Sequence, residues 1–292
     1  MKRLTGIFLL LTIISGSSLF GQEKRALLIG IGEYAPETGW HQIHGDKDVA
    51  LMKSVLLRNG FEEDNISTLI NEEATFSAID AAILNLITIS RNSDVIFIQF
   101  SGHGQQITDK DGDEDDGLDE SWVPYDAYKS FQANVYEGER HFTDDLLFEY
   151  MSRLRKRIGS SGKLVIISDA CHSGSGSRGN TDDDDVARGT DEKFIIPKVS
   201  PSKHLWRNPE DHVQWLFVGA CKSYQTNYEH RLPEGGYCGS LTYVISHDSN
   251  DFTTTPYQEL ISGWKNSLKA IAKFPQAIDE EGRPNRKSQY LF

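Results

Sequence analysis

Two short blocks in this 292-residue chain carry groups able to make and break a covalent bond. Ser101-Gly102-His103-Gly104 sets an imidazole between glycines. Asp169-Ala170-Cys171-His172-Ser173-Gly174 sets a thiol after a small residue. A thiol titrates at about 8.5 and is a modest nucleophile at neutral pH; a nearby imidazole can take its proton or stabilise the thiolate. Gly104 and Gly174 allow backbone N–H groups to approach a substrate closely, as an oxyanion requires. His172 is a poor base for Cys171, because successive side chains of an extended segment point opposite ways. Either residue alone is more often a packed structural group; the two blocks together favour nucleophilic catalysis. No Gly-x-Ser-x-Gly elbow with a matching triad order supports a serine hydrolase. A zinc site on His103, Cys171 and His172 lacks the paired Cys-x-x-Cys or His-Glu-x-x-His spacing.

Both blocks end apolar runs that read as strands buried on both faces, the kind a parallel sheet needs. Such runs cover Arg25–Ile31, Asp94–Phe100, Lys163–Ser168 and Trp215–Ala220, with a short strand at Ile66–Ile70. Helical spacing appears over Asp46–Leu57, Thr75–Ile89 (Thr75 as N-cap), Leu146–Ile158, Ser240–Ile245 and Tyr257–Ala272. Alternating strands and helices imply an α/β fold, a mostly parallel central sheet covered by helices on both faces. Ligands of such sheets bind beyond the carboxyl ends of the strands. If their strands are neighbours, His103 and Cys171 face one crevice. The polar stretch 175–211, with four consecutive aspartates at Asp182–Asp185, reads as a mobile, cleavable linker between regions 23–174 and 212–292. Pro284–Phe292 reads as a last strand.

Thirty basic against 43 acidic residues give a net charge of −13, which argues against nucleic acid as a partner. Residues 1–22 have the order of a secretory signal: Lys2 and Arg3, an apolar run from Ile7 to Ile14, then small residues to Gly21. The apolar run is short of the ~20 residues of a membrane span. The expectation is an exported protein, secreted or periplasmic, with no membrane association once the signal is removed. In an oxidising compartment Cys221 and Cys238 could pair, leaving Cys171.

The Ser-Gly-His-Gly and Asp-Ala-Cys-His-Ser-Gly blocks, in this order and at strand ends, resemble those of metacaspases, members of the caspase peptidase superfamily. The acidic stretch Asp111–Glu120, followed by Pro124 and Asp126, resembles the same family, and the likeness runs from about Arg25 to Tyr243. The resemblance implies a caspase-like three-layer sandwich and a cysteine endopeptidase. Cys171 would be the nucleophile, His103 the general acid and base, and the N–H groups of Cys171 and Gly104 the oxyanion donors. His103 and Cys171 lie 68 residues apart, wider than the ~50 of true caspases. The acidic loop occupies much of the excess.

By the same resemblance Asp48, Asp169 and Ser101 line the substrate pocket. Two carboxylates in a partly enclosed pocket suit a guanidinium or an ammonium. Peptide or protein substrates with Arg or Lys before the cut are therefore expected, not Asp. Asp48 alone could equally be a helix N-terminal aspartate. Where metacaspases often have Cys three residues before it, this chain has Gly45. The chemistry needs no cofactor, but many metacaspases take calcium. Asp119, Asp144 and Asp145 match three of the family's ligands, while the fourth position is Arg178. The density of acid from Asp109 to Glu120 calls for a cation or full solvation. An EF-hand is rejected, because Glu114 stands where the turn needs glycine. Arg178, Arg188 and Lys193 are candidate self-cleavage points. The stretch Val218–Gln225, with Glu229, resembles the wall of the substrate groove. Two other readings stay open: an inactive binding module on the same fold, and a metal-dependent hydrolase using the acidic loop.

Overall fold

The computed structural model describes residues 21–171, 186–197, 215–285 and 288–292. Residues 1–20 of the signal-like segment, His172, Gly174, Arg178 and Asp182–Asp185 lie outside the described residues. The chain forms β1 (Lys24–Gly30), α1 (Gly45–Arg58), β2 (Ile66–Ile70), α2 (Phe76–Ile89), β3 (Val95–Ser101), β4 (Gly104–Thr108), β5 (Leu118–Trp122), β6 (Phe142–Thr143), α3 (Asp144–Ile158), β7 (Lys163–Asp169), β8 (Leu216–Gly219), β9 (Glu229–Arg231), β10 (Tyr237–Gly239), α4 (Ser240–Ser246), α5 (Tyr257–Ile271) and β11 (Asp279–Gly282).

Side-chain alternation along the central strands builds two cores. Leu28, Phe97, Val165, Ile167 and Val218 face α1, α4 and α5. Leu27, Ile29, Ile96, Ile98, Leu164 and Ile166 face α2 and α3. A strand with one buried face would alternate apolar with polar; these strands are apolar throughout because both faces are covered. The result is a six-stranded sheet in the order β11-β8-β7-β3-β1-β2, parallel except for β11. This is the three-layer α/β sandwich expected above. Thr75 caps α2 as expected, accepting from the Ala78 N–H at 3.3 Å.

Register decides the site. Ser101 at the end of β3 pairs with Gly30 of β1 and Asp169 of β7. His103 and Cys171 each stand two residues beyond that paired level, on neighbouring strands, at the carboxyl edge of the sheet.

Three features differ from the sequence reading. A small antiparallel sheet, β4-β5-β6, follows His103 directly and carries part of the acidic loop on its β4–β5 turn. Its strands are short and half polar, so no long apolar run announces them. The last strand is β11, before Pro284; residues 288–292 instead close the core, with Phe292 stacked edge-on against Phe61 and Phe97. Residues 186–197 of the supposed mobile linker are packed into the domain, bridging to Tyr228 on one side and to Gly104 and Ile107 on the other. Among the described residues, no helix is long and apolar enough to cross a membrane.

Leu28 is fully buried at the centre of the sheet. Leu28→Ala should lower unfolding stability by about 2–5 kcal/mol, read from the urea midpoint.

Candidate active site

His103 is held from three sides. Its backbone N–H donates to Tyr34 Oη at 2.7 Å, its ring stacks on Trp40 at 4.8 Å, and Nε2 meets the His41 carbonyl oxygen at 3.0 Å. A carbonyl only accepts, so Nε2 carries the proton and Nδ1 is the basic atom. Nδ1 is buried with no hydrogen-bond partner. Burial, then the neighbouring His41, holds the imidazole well below its usual pKa of 6.5. His103 is therefore neutral near pH 7, with its lone pair on Nδ1.

Cys171 is fully buried. Its thiol donates to the Gln225 carbonyl at 3.0 Å, the same oxygen that Cys221 Sγ approaches at 3.3 Å. The thiol thus turns toward Gln225 and Cys221, and the imidazole toward Tyr34, Trp40 and His41, from the ends of neighbouring strands. The Cys221 thiol is raised well above its usual range by its bond to Cys171 and by burial. The three cysteines are unbridged, so the Cys221–Cys238 pair that the sequence left open is not formed. Cys238 lies on β10, whereas Cys221 abuts Cys171.

The backbone N–H of Cys171 and that of Gly104 converge on one oxygen, the carbonyl of Arg188, at 3.0 and 3.3 Å. The Arg188 side chain continues into a closed pocket. Nη1 meets Asp48 Oδ2 at 2.6 Å, Ser101 Oγ at 2.6 Å and the Asp169 carbonyl at 3.3 Å. Nε and Nη2 meet Glu229 Oε1 at 3.1 and 2.9 Å. The guanidinium and all three carboxylates are buried. Burial alone would weaken its charge; Asp48, Glu229 and Asp169 instead hold it well above the usual arginine value. Asp48 is pushed up to about 6, chiefly by burial, with Arg188 pulling the other way. Burial also works against Glu229, but Arg188 and His44 keep it below the usual range.

The three pocket residues named from sequence therefore meet one guanidinium, in unequal roles. Asp48 and Ser101 touch it directly and also bond each other. The Asp169 carboxylate stands 3.8 Å from it and is mainly occupied by Asn227 Nδ2, the Thr242 N–H and Thr242 Oγ1 at 2.7, 2.7 and 2.8 Å. Glu229, read from sequence only as a groove wall, is the strongest addition; its signal was a carboxylate in a short segment near the fourth buried strand. Gly45 also has a reason. A Cβ there would lie 2.4 Å from the Ser101 carbonyl, so α1 reaches the sheet edge, and presents Asp48, only with glycine at this position.

The chain bends at Arg188 and is paired on both flanks. Arg188 N–H donates to Asn227 O at 2.9 Å and Glu229 N–H to Val186 O at 2.8 Å; beyond Gly189 the segment runs parallel to β4. Backbone pairing of this kind is how an extended peptide adds to a sheet edge.

The acidic loop gathers at the β4–β5 turn and the start of α3. Carboxylate oxygens of Asp109, Asp113 and Asp119 lie within 4.8 Å of one another, as do those of Asp111, Asp113 and Asp145. Asp119 is raised to about 8 by burial and by the charges of Asp144, Asp145, Asp109 and Asp111, and its Oδ1 is buried without a hydrogen-bond partner. Such a set of hard oxygen donors fits a calcium ion. Of the residues named by resemblance, Asp119 and Asp145 fall in these groups beside Asp109, Asp111 and Asp113 of the acidic run, and Asp144 falls in neither.

The chain belongs to the metacaspases: the profile of the metacaspase peptidase C14 domain matches residues 24–180. It is 36% identical over 159 residues to metacaspase III c of Phaeodactylum tricornutum, covering 52% of this chain and 43% of that protein. It is 33% identical over 253 residues to metacaspase-1 of Plasmodium falciparum, covering 82% and 37%. The chain thus spans less than half the length of these relatives. In fold it is similar to protein GSU0716 of Geobacter sulfurreducens, with TM-score 0.61, 19% identity and 92% and 97% of the two chains covered. Caspase-1 of Spodoptera frugiperda is similar too, with TM-score 0.56, 11% identity and 90% and 89% covered.

A buried neutral histidine makes stability depend on pH. His141 is lowered to about 3 by burial, whereas in the unfolded chain it binds a proton below about 6.5. Folding expels that proton, so its contribution is complete above pH 6.5 and is lost as pH falls, by about 1.4 kcal/mol per pH unit. Asp48 and Asp119, raised in the fold, act in the opposite sense. The clean measure is therefore the stability difference between wild type and His141→Gln. Urea titrations from pH 7.5 to 5 should show the wild-type advantage shrinking below pH 6.5.

Proposed function

We propose that the chain is a cysteine endopeptidase that cuts after arginine or lysine, and that its first substrate is its own Arg188–Gly189 bond. One observation carries this reading: Arg188 meets the site as a substrate would, with its guanidinium among the carboxylates and its carbonyl oxygen between two N–H donors. The Cys171 thiol leaves Gln225 and passes its proton to His103 Nδ1. The thiolate attacks the Arg188 carbonyl carbon, and the oxygen takes up negative charge against the N–H groups of Cys171 and Gly104. Such donors are each worth about 10²–10³ in rate. His103 returns the proton to the Gly189 nitrogen, which departs as an amine. Water, deprotonated by the same imidazole, then releases the Arg188 carboxylate from the thioester.

Calcium is part of the same proposal. Asp119 pairs with Ile107 across the β4–β5 hairpin, and Gly104 pairs with Trp122 on it. An ion held by Asp109, Asp113 and Asp119, with Asp111, Asp144 and Asp145 around it, would fasten the hairpin that carries the Gly104 donor. Lys193 is exposed and does not occupy the pocket, so Arg188 is preferred to it as the cleavage point. The order of residues 1–22 supports export.

Incubated with calcium, the purified chain should split, with Gly189 as a new N-terminus by mass spectrometry. Cys171→Ala and Arg188→Gln should stay whole at this bond; a cut there in Cys171→Ala would favour metal-dependent hydrolysis. On short peptides, arginine before the cut should exceed aspartate at least 100-fold in kcat/KM. Asp48→Asn, by leaving a buried guanidinium poorly paired, should lower the arginine rate by about 10²-fold or more. Calcium should raise both the melting temperature and the cleavage rate, and Asp119→Asn should abolish both responses; unchanged values with calcium would remove the ion from the account.

A further inference from the structure

The segment that leaves Arg188 is read at two places beyond the scissile bond. At the first, a Cβ on Gly189 would lie 2.3 Å from the Cys171 carbonyl oxygen, a backbone atom with no freedom to retreat. At the second, Phe194, the sixth residue after the cut, is fully buried while Asp191, Glu192 and Lys193 are exposed. Its ring sits 4.6 Å from His141, 5.4 Å from Tyr136 and 6.3 Å from Phe131. Gly138, at φ +95°, leaves room for it: a Cβ there would come within 3.0 Å of the ring and 2.9 Å of Ile107. The Phe194 backbone is clamped to β4, with its N–H on Gln106 O at 2.8 Å and its carbonyl on the Thr108 N–H at 3.0 Å.

The pocket wall is fixed by its own hydrogen bonds. Tyr136 Oη meets His141 Nδ1 at 2.7 Å, and His141 Nε2 meets Gln105 Oε1 at 2.9 Å. Gln105 Nε2 then donates to the carbonyls of Lys129 and Glu192 at 2.9 and 2.8 Å. The wall thus reaches the docked segment itself. An aromatic site that holds the Phe194 ring, beside a sheet edge that pairs with the peptide backbone, has the two parts of a recognition site: the edge gives affinity and the pocket gives selectivity.

We infer that the Ile107–Phe131–Tyr136–His141 pocket is a specificity site for protein substrates, selecting a polypeptide with glycine directly after the basic residue and a large aromatic side chain six residues after the cut. The inference rests on the reading of the site as an arginine-directed peptidase. The chain's own segment is the first such polypeptide, because one stretch presents its carbonyl to the oxyanion donors and its phenylalanine to the pocket at once. A separate protein with the same spacing fits the same path.

The test uses the full chain carrying Arg188→Ala and Phe194→Ala, whose own segment fills neither the arginine pocket nor the aromatic one. Phe194→Leu takes the place of Phe194→Ala if the doubly substituted chain lacks the wild-type melting transition. Internally quenched peptides copying residues 186–197 carry Phe or Ala at the sixth position after arginine, and Gly or Val at the first. An arginyl-aminocoumarin, with no amino acid after arginine, reports the peptidase itself. At least tenfold higher kcat/KM for Phe over Ala, and for Gly over Val, is expected. Equal values while the aminocoumarin is hydrolysed would overturn the pocket and leave the peptidase standing. If the aminocoumarin is not hydrolysed, the peptidase reading fails, and fluorescence anisotropy with labelled 189–197 peptides judges the pocket. Tenfold tighter binding of the Phe peptide than the Ala peptide then supports it, and equal or absent binding overturns it.

Discussion

A guanidinium buried among three carboxylates organises this molecule. Arg188 has no water around it, so its charge must be matched by Asp48, Asp169 and Glu229, and each of these must reach it from a different part of the chain. Asp48 comes from the start of α1, Asp169 from the end of β7, and Glu229 from the start of β9. An uncompensated charge in such a place would cost several kcal/mol. The ion cluster therefore ties the first helix, the central sheet and the C-terminal hairpin to one point. It also fixes what lies beside it, since the Arg188 carbonyl oxygen lands on the N–H groups of Cys171 and Gly104.

The thiol and the imidazole stand at neighbouring strand ends, each bonded to a different partner. In this state the thiol donates a hydrogen bond to the Gln225 carbonyl and is buried, while His103 is neutral with Nδ1 as its basic atom. A buried, protonated thiol is inert. The β4–β5 hairpin, which supplies Gly104 and supports the segment beyond Gly189, carries the clustered aspartates at its turn. Mutual repulsion of those carboxylates works against the hairpin, and a divalent cation would relieve it.

Much of this was legible in the sequence because its physics is local. β1, β3 and β7 are unbroken apolar runs, and only a strand covered on both faces needs that pattern. His103 and Cys171 follow two of those runs directly, so neighbouring strands suffice to bring them to one edge. The small sheet was not legible: Gly104–Thr108 and Leu118–Trp122 are short and mixed, and their pairing is set by each other. The packed role of residues 186–197 was hidden for a related reason. A segment bound as a peptide is held by backbone hydrogen bonds and two or three side chains, so its intervening residues are polar and read as linker. Phe194 was the exception within it, a single aromatic between the charged run Asp191–Lys193 and the pair Ile195 and Ile196. Glu229 and the Asp109–Asp113 carboxylates acquire their roles only from long-range folding.

The central claim is that Arg188 occupies the recognition pocket of a competent cysteine nucleophile. The most direct measurement is the rate at which an arginyl acyloxymethyl ketone alkylates Cys171, followed by intact-mass spectrometry, in the uncut chain and in Arg188→Ala. The account expects slow labelling of the uncut chain and at least tenfold faster labelling once the resident guanidinium is removed. Equal rates in the two chains, or no modification of Cys171 in either, would contradict it.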